Sequence, residues 1–135
     1  LLMIDLDHFK EFNDRYGHFT GDQVLAGLAQ RFRDSLRAVD LIGRYGGEEF
    51  IVLLPETGGQ QAMEVAERLR RRVEEDAIET GKGPLCVTVC LGVGVYTAEC
   101  DSLETLIDQA DRALYTAKHA GRNRVKLFVG SEAAT

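Results

Sequence analysis

Asp5, Glu48 and Glu49 are the acidic residues of this sequence that are placed to bind a metal ion. Asp5 directly follows the apolar run 1–4, and Glu48 and Glu49 lie just before the apolar run 51–54. Carboxylate oxygens favour Mg²⁺, particularly when a phosphate completes the coordination shell. The alternatives are a hairpin tip whose acidic side chains face water, or unrelated surface acids.

Lys10, Lys118 and Arg122 are candidate phosphate-binding residues. Lys118 and Arg122 lie four positions apart at the end of the last predicted helix, and Lys10 lies beside the first predicted strand. The sequence contains neither GxxxxGK[ST] nor GxGxxG, so no established phosphate-binding loop supports this assignment. Alternatively, Lys118 and Arg122 only stabilise the negative end of the helix dipole.

Asn13 and Asp22 have side chains that could recognise a guanine base. A carboxylate accepts hydrogen bonds from the ring and amino N–H groups of guanine, and an amide can bond its acceptors. Each residue also has a structural interpretation, Asp22 at a helix start and Asn13 at a helix end. Arg37 and Asp40, three positions apart, are explained at this level by a surface ion pair.

Apolar periodicity and capping residues predict four helices around these side chains. A short helix over 8–16 is closed by Gly17, and a long helix with capping-box spacing begins at Thr20. The apolar stripe of the long helix comprises Leu25, Leu28, Phe32, Leu36 and Val39. A third helix opens at 58–59, and the last is capped by 101–104 and stops at Gly121.

Two β-prone segments, 40–43 and 51–55, flank Gly46 and Gly47 and predict a hairpin. We expect the two glycines to adopt positive φ angles, which cost glycine no Cβ clash. Because the second arm is apolar at every position, both of its faces are predicted to be covered. Further strands are predicted over 1–4, 85–96 and 125–129.

The predicted order is β-α-β-β-α-β-α-β when the two helices after the first strand are counted as one segment, and it belongs to the α/β (α+β) class. Its first six elements match the ferredoxin-like pattern, a mixed and largely antiparallel sheet backed by helices. In that pattern the first strand is central and antiparallel to the strand that carries Glu48 and Glu49. This arrangement brings Asp5 and Glu48 together, although 43 positions separate them. Gly92 and Gly94 predict a bulge or a close approach of another backbone.

Composition predicts one globular domain. The chain has 135 residues, of which 44% are hydrophobic, and a net charge of −6, so we expect a domain over 1–130 and a frayed tail over 131–135. The acidic charge argues against nucleic-acid binding, and no apolar run approaches a membrane span. Cys86, Cys90 and Cys100 lack metal-ligand spacing; we expect them to be buried, with Cys86 and Cys90 on one strand face, in a reducing, cytoplasmic compartment. The sequence starts within a strand pattern, which is typical of a piece of a longer protein.

Taken together, the motifs resemble the GGDEF domain of diguanylate cyclases, in its GGEEF variant. The resemblance covers nearly the whole chain, and the motifs occur in the family's order. They are Asp5-Leu6-Asp7-His8-Phe9-Lys10, Asn13-Asp14, Gly17-His18, Gly21-Asp22, Arg44-Tyr45-Gly46-Gly47-Glu48-Glu49-Phe50, and Lys118 with Arg122-Asn123. The resemblance implies a palm-like fold related to nucleotidyl cyclases and the condensation of two GTP molecules into cyclic di-GMP and pyrophosphate.

The resemblance also implies a role for individual residues. Two Mg²⁺ ions per GTP, or Mn²⁺ in their place, would be bound by Asp5, the Leu6 carbonyl, Glu48 and, as second-metal ligand or base, Glu49. The substrate-binding residues would be Phe9, Lys10, Asn13, Asp22, Gly46, Gly47, Lys118 and Arg122. An inhibitory site for the product would comprise Arg37, Asp40 and Arg68.

Partners follow from the same resemblance. Two domains, each holding one GTP, would face each other in a homodimer. An upstream sensory or dimerising module would control them, in a parent protein that is compatible with a membrane anchor. The alternatives are a non-enzymatic GGDEF module that binds GTP or cyclic di-GMP, and a different palm-type nucleotidyl transferase such as an adenylyl-type cyclase. The presence of Asp5, Glu48 and Glu49 favours the enzyme over the binding module.

Overall fold

The computed structural model describes residues 1–100 and 102–129; the predicted tail over 131–135 and residue 101 of the predicted cap lie outside this part of the chain. Within it lie seven strands and four helices. In chain order they are β1 (Leu2–Leu6), α1 (Phe9–Tyr16), α2 (His18–Ser35), β2 (Leu41–Arg44), β3 (Glu49–Leu53), α3 (Gly59–Glu75), β4 (Ile78–Thr80), β5 (Gly83–Leu85), β6 (Val89–Val93), α4 (Leu103–His119) and β7 (Val125–Leu127).

Five of the strands form one mixed sheet in the spatial order β2-β3-β1-β6-β7. The central strand β1 is fully buried and pairs antiparallel with both β3 and β6. Strand β2 adds antiparallel to β3, and β7 adds parallel to β6 at the other edge. The ferredoxin-like prediction is therefore confirmed, including the antiparallel neighbours β1 and β3.

Helices cover both faces of the sheet. One face packs against apolar side chains of α2 and α3, among them Phe32, whose ring meets that of Phe50 edge-on at 5.4 Å. The other face packs against α4 through a smaller cluster that includes Met3 and Cys90. Because side chains alternate along a strand, Asp5 shares the α4 face with Met3. This alternation directs the first candidate metal ligand toward α4.

Gly92 allows α4 to lie directly on β6. A Cβ at this position would meet the Ala110 carbonyl oxygen at 2.1 Å and the Leu114 nitrogen at 2.3 Å. These atoms belong to helix backbone and cannot rotate away. The close approach predicted from the sequence is present, and it sets the depth at which α4 presents its side chains.

Helix α2 differs from its prediction at both ends. It begins at His18, directly after Gly17. The φ of 90° at Gly17 interrupts the helical backbone and separates α1 from α2. Thr20 is buried inside the helix and caps nothing, so the predicted capping box is wrong. The helix ends at Ser35, which leaves Val39 outside it and 59% exposed.

The strand predicted over 85–96 is divided. Strand β6 covers its centre, and residue Leu85 instead belongs to β5, which pairs with β4 in a separate hairpin. Gly83, with a φ of 92°, makes this turn possible. Cys86 lies between β5 and β6 and is exposed, so its predicted burial on a shared face with Cys90 is wrong, whereas Cys90 and Cys100 are buried. The last strand ends at Leu127 rather than at 129.

The hairpin of β2 and β3 is present, but its turn differs from the prediction. Neither Gly46 nor Gly47 has a positive φ, because residues 45–48 form a longer loop closed by a 2.9 Å hydrogen bond from Tyr45 N to Glu49 O. Burial along β3 alternates: Phe50 and Val52 are buried on one face, and Ile51 and Leu53 are partly buried against the α4 cluster on the other. The predicted coverage is therefore complete on one face of β3 and partial on the other. No helix in residues 1–100 and 102–129 has the length and hydropathy of a membrane span.

Candidate active site

Three carboxylates meet where β1 ends and β3 begins. The antiparallel register places Asp5 opposite Glu49, and Glu48 lies in the loop immediately before β3. Asp5 is only 5% exposed, whereas Glu48 and Glu49 are partly buried. The structure therefore brings together the three acids that the sequence predicted, with Glu49 rather than Glu48 as the register partner of Asp5.

Lys118 supplies the positive charge for this cluster. It lies in the last turn of α4, and its Nζ forms an ion pair with Oδ2 of Asp5. Burial alone would lower the pKa of Lys118, but the hydrogen bond and charge of Asp5, followed by the charges of Glu49 and Glu48, raise it above its ordinary value. The ammonium group is thus held in its charged form beside the acids.

The other two carboxyl groups are easier to protonate than ordinary glutamates. Burial and then the negative charge of Asp5 raise the pKa of Glu48 above 4.5. The same two causes raise the pKa of Glu49. A buried cluster in which acids repel each other binds a cation favourably, because the cation offsets both the repulsion and the lost hydration.

One atom of the cluster marks the place for that cation. Oδ1 of Asp5 is buried and has no hydrogen-bond partner among the residues that the structure describes. A buried carboxylate oxygen without a donor costs free energy unless something positive reaches it. No three acidic, His or Cys side chains of the described residues converge closely enough to form a complete metal cage. The donor set instead fits Mg²⁺, which commonly uses one or two carboxylates and completes its shell with phosphate oxygens and water.

Two adjoining cavities open beside the acids. The smaller, of about 180 Å³, is lined by Asp5 and Glu48 of the acidic cluster and by basic side chains. It is lined by Asp5, Leu6, Asp7, His8, Phe9, Lys10, Glu11, Glu48, Lys118 and Arg122. All three predicted phosphate-binding cations therefore face the same cavity as Asp5, Leu6 and Glu48, whereas the predicted metal ligand Glu49 does not line it.

The larger cavity, of about 640 Å³, lies between α1, α2 and the hairpin loop. It is lined by Phe9, Lys10, Asn13, Asp14, His18, Asp22, Leu25, Arg44, Gly47 and Glu48. Because Phe9, Lys10 and Glu48 line both cavities, the two form one cleft. The predicted base-recognising residues Asn13 and Asp22 line only the larger cavity, and Asp5, Lys118 and Arg122 line only the smaller one.

Gly21 leaves room for the side chain of Asn13 within this cleft. A Cβ on Gly21 would lie 1.9 Å from Oδ1 of Asn13 and 3.1 Å from the ring of Phe9. Oδ1 of Asn13 is buried there without a hydrogen-bond partner in the described part of the chain. The missing side chain at position 21 therefore creates the space that the amide of Asn13 fills.

The remaining hairpin residues surround the cleft in different ways. Gly47 lines the larger cavity and has open space around it, with no atom within 4 Å of the place that a Cβ would occupy. Gly46 does not line either cavity; a Cβ there would come within 3.0 Å of Glu49 Oε1. Arg44, which was not predicted to have a role, donates a hydrogen bond to the Gly47 carbonyl oxygen and lines the larger cavity. Its position just before the two glycines was the available signal.

Arg37, Asp40 and Arg68 lie away from this cleft. Arg37 donates to Asp40 at 2.8 Å and also to Thr57 Oγ1 at 3.1 Å, and the Asp40 side chain is 2% exposed. Burial would raise the pKa of Asp40, but hydrogen bonds from Arg37 and the charges of Arg37 and Arg68 bring it below 3.8. The three predicted inhibitory residues are thus close enough to interact.

A larger groove, of about 1220 Å³, follows the outer side of α3. Its charged side chains include Glu67, Arg70 and Glu74, which pair with one another. It contains none of the residues at the acidic cluster. We therefore place the candidate active site in the cleft beside Asp5 rather than in this groove.

The fold and cleft correspond to a known family. The family described as "Diguanylate cyclase, GGDEF domain" matches residues 1–124. The chain therefore belongs to the GGDEF family, which has the nucleotidyl-cyclase palm fold. This confirms the resemblance drawn from the motifs.

Particular relatives support the same assignment. The chain is 46% identical over 127 residues to diguanylate cyclase A of Treponema denticola, covering 94% of this chain and 34% of that protein. It is 42% identical over 132 residues to diguanylate cyclase DosC of Escherichia coli K12, covering 97% of this chain and 28% of that protein. The chain thus spans about a third or less of the length of these relatives.

Solved structures agree with the sequence relatives. The active GGEEF domain of a diguanylate cyclase from Vibrio cholerae superposes with a TM-score of 0.87 at 35% identity, covering 94% of this chain and 80% of that one. The GGDEF domain of DgcB from Caulobacter crescentus, in complex with c-di-GMP, superposes with a TM-score of 0.87 at 33% identity, covering 93% of this chain and 75% of that one.

Proposed function

We propose that this chain is the catalytic domain of a diguanylate cyclase, which joins two GTP molecules into cyclic di-GMP and releases pyrophosphate. One observation carries the proposal. A single cleft has Asn13 and Asp22 at one end and the pair of Asp5 and Lys118 at the other. A guanine nucleotide needs hydrogen-bonding groups for its base and charged groups for its phosphates and metal, and the two adjoining cavities of the cleft supply both.

The base end recognises guanine by complementary hydrogen bonding. Asp22 accepts from the ring and amino N–H groups, and the Asn13 amide, whose Oδ1 is buried, presents its NH₂ group to the acceptors of the base. Adenine carries a different pattern of donors and acceptors on the same edge, so it loses these bonds and leaves polar groups unpaired. This end therefore selects GTP over ATP.

The phosphate end neutralises the triphosphate. Lys10, Lys118 and Arg122 face the cavity together, and the first turn of α1, at Phe9, offers backbone N–H groups to an anion. These charges meet the triphosphate locally, against a chain whose net charge is −6. Local cations and a metal thus overcome the overall repulsion of an anionic substrate.

The metal ligands are Asp5, the Leu6 carbonyl and Glu48, with Glu49 as ligand of a second ion or as an aid to deprotonation. The family implies a divalent metal, and we assign it as Mg²⁺, with two ions per GTP and Mn²⁺ as a substitute. Bound by these residues, such an ion would lower the pKa of the attacking 3′-hydroxyl and offset charge on the α-phosphate. Gly47 leaves the hairpin loop open to the nucleotide.

Each domain holds one GTP, so two domains must face each other for the reaction. We propose a homodimer that the rest of the parent protein brings together in the cytoplasm. We also propose that cyclic di-GMP inhibits the enzyme at Arg37, Asp40 and Arg68. The ion pair of Arg37 and Asp40, with Arg68 near enough to lower the pKa of Asp40, supports this site.

The test is GTP conversion by this chain fused to a strong dimerising module, in the presence of Mg²⁺, beside a Glu48→Gln variant. Cyclic di-GMP formed by the fusion and lost in the variant would support both the reaction and the metal role of Glu48. ATP in place of GTP should yield no product. A folded dimer that binds GTP or cyclic di-GMP tightly without forming product would identify a non-enzymatic receptor module instead.

A further inference from the structure

The turn that carries Arg122 has an unusual backbone. Arg122 and Asn123 follow α4 and have φ angles of 62° and 47°, both in the left-handed region. Two consecutive non-glycine residues rarely adopt this conformation, and they keep it only where surrounding contacts enforce it. The contacts that enforce it therefore determine where the Arg122 side chain points.

Asp7 provides one of these contacts. Its Oδ2 accepts from the backbone N of Asn123 at 2.9 Å and from Thr88 Oγ1 at 2.6 Å, while its Oδ1 accepts from Cys90 Sγ at 3.0 Å. Asp7 lies only two residues after Asp5, yet both of its carboxylate oxygens already accept hydrogen bonds. The donors are Cys90 of β6, Thr88 just before β6, and Asn123 of the turn. It acts on the turn instead of adding a carboxylate to the acidic cluster.

Arg70 of α3 provides the second contact. Its side chain is 13% exposed, and its Nη1 donates to Oδ1 of Asn123 at 2.9 Å. The amide nitrogen of Asn123 donates in turn to Glu74, which also pairs with Arg70. The hydrogen bonds that Glu67 accepts from Arg70, then the charge of Glu67 and the contacts of Glu74, raise the pKa of Arg70 above its ordinary value. The guanidinium of Arg70 is therefore permanently charged and is held in a fixed position against the side chain of Asn123.

We propose that Asp7 and Arg70 are positioning residues that hold Arg122 at the phosphate end of the cleft. The proposal rests on the proposed function, because it takes Arg122 as a ligand of the triphosphate. Arg70 lines the groove along α3 and neither of the cavities of the cleft, so it reaches the substrate only through Asn123 and the turn. Arg122 lines the phosphate cavity directly.

The position of Arg70 explains why a remote side chain matters here. Helix α3 packs on one face of the sheet and α4 on the other. The turn at 122–123 passes the edge of the sheet, where α3 can brace a residue that follows α4. Because Arg70 is already held by ion pairs with Glu67 and Glu74, its side chain loses little further conformational freedom when it bonds Asn123.

The experiment compares equilibrium binding of GTP and of guanosine by the wild-type chain and its variants. The variants are Arg70→Met, Asn123→Gly, Arg122→Ala and the double variant of Arg70→Met with Arg122→Ala. Asn123→Gly is included because glycine adopts the left-handed backbone freely and loses only the side-chain contacts. Arg71→Met, on the same helix and 63% exposed, removes an equal charge and serves as the matched control.

We expect Arg70→Met and Asn123→Gly to weaken GTP binding about tenfold each, within the coupling that residues of one network show. Guanosine, which lacks phosphates, should bind all variants equally, and Arg71→Met should bind GTP as wild type does. In the Arg122→Ala background, Arg70→Met should cause no further loss, because its effect passes through Arg122.

Two results would overturn the inference, and they differ from each other. If Arg122→Ala weakens GTP binding while Arg70→Met and Asn123→Gly do not, or if the losses from Arg70→Met and Arg122→Ala simply add, the positioning role is wrong and the proposed function stands. If Arg122→Ala leaves GTP binding unchanged in a folded chain, the phosphate role of Arg122 fails, and the inference fails with it.

Discussion

Lys118 and Asp5 form an ion pair that joins α4 to the central strand, while the second oxygen of the same carboxylate is buried without a hydrogen-bond partner in the described part of the chain. The ion pair therefore occupies Oδ2 of Asp5 and leaves Oδ1 available to a cation. Glu48 and Glu49 add to the same negative potential, and burial together with the charge of Asp5 raises their own pKa values. Lys118 thus offsets part of the negative charge of the cluster, and the remaining negative potential supports the proposed metal site.

Lys118→Met should destabilise the chain at neutral pH. It leaves the Asp5 carboxylate buried without its cation, and we expect a loss of about 1–3 kcal/mol in the free energy of unfolding, moderated because Lys118 is 33% exposed. Chemical denaturation measures this loss. Mg²⁺ should stabilise the variant more than the wild type, since both oxygens of Asp5 then lack the positive charge of Lys118.

The controls for Lys118 separate a charge effect from a packing effect. The double variant of Lys118→Met with Asp5→Asn removes both charges and should regain most of the lost stability. Lys82→Met, in the exposed turn between β4 and β5, should change little. If the double variant is less stable than Lys118→Met, the ion pair is not the cause of the loss.

Gly21→Ala should separate base recognition from stability. The new methyl group would lie 1.9 Å from Oδ1 of Asn13, so the amide must move out of its place in the cleft. We expect GTP affinity to fall about tenfold, the value of one or two lost hydrogen bonds. Stability should stay near that of the wild type, because alanine favours a helix by about 1 kcal/mol over glycine and offsets part of the strain.

Isothermal titration with GTP and a thermal melt together check this prediction. Gly27→Ala is the matched control, since it lies in the same helix but would contact Ile78 Cγ2 at 2.7 Å, outside the cleft. It should alter stability and leave GTP affinity unchanged. Unchanged GTP affinity in a folded Gly21→Ala variant would show that Asn13 does not contact the base.

Gly92→Ala should prevent α4 from packing on β6. Its Cβ would overlap the Ala110 carbonyl oxygen at 2.1 Å, an atom of the helix backbone. Overpacking typically costs about 1–3 kcal/mol and occasionally more, and a clash with helix backbone lies at the upper end of this range. Gly43→Ala, where the nearest atom lies at 4.0 Å, should be tolerated in the same denaturation experiment. Equal stability of the two variants would mean that α4 can shift without cost.

Much of the fold could be predicted because local patterns and a known chain order agreed. The apolar run before Asp5 and the run after Glu49 had to be strands, and the ferredoxin-like order made them antiparallel neighbours. That topology was sufficient to bring together acids 43 positions apart. The helical pattern located Lys118 at the end of α4, and the structure adds that α4 covers the face of the sheet on which Asp5 lies.

The errors arose where tertiary contacts override local patterns. Thr20 has the spacing of a capping residue, but Gly17 already separates α1 from α2, so Thr20 is buried within the helix. Cys86 continues the apolar alternation of β6, yet the turn at Gly83 diverts the chain into a separate hairpin. The roles of Asp7 and Arg70 had no local signal, because each depends on a partner more than 50 residues away.

The environment of Asp40 predicts a pH-dependent contribution to stability. Its side chain is 2% exposed and accepts hydrogen bonds from both the backbone and the guanidinium of Arg37. Burial alone would raise the pKa of this carboxyl group, but Arg37 and Arg68 bring it below the ordinary value of 3.8. The folded chain therefore binds fewer protons at Asp40 than the unfolded chain does.

The sign of the effect follows from this difference. A lowered pKa stabilises the folded state above the unfolded value of 3.8, and the stabilisation disappears as the pH falls through the folded pKa. Asp40→Asn should consequently lose about 1–3 kcal/mol at neutral pH, the value of hydrogen bonds to a charged group. The gap between wild type and variant should stay constant down to the region of 3.8 and close below it.

Urea denaturation at a series of pH values from neutral to below 3.8 measures this gap. Asp34→Asn is the matched control, because Asp34 is exposed on α2 and accepts from Gln30 at 2.9 Å. It should give no comparable gap at any pH. A gap for Asp40→Asn that widens as the pH falls would mean that burial outweighs Arg37, and it would remove the support for a preformed Arg37–Asp40 pair at the proposed inhibitory site.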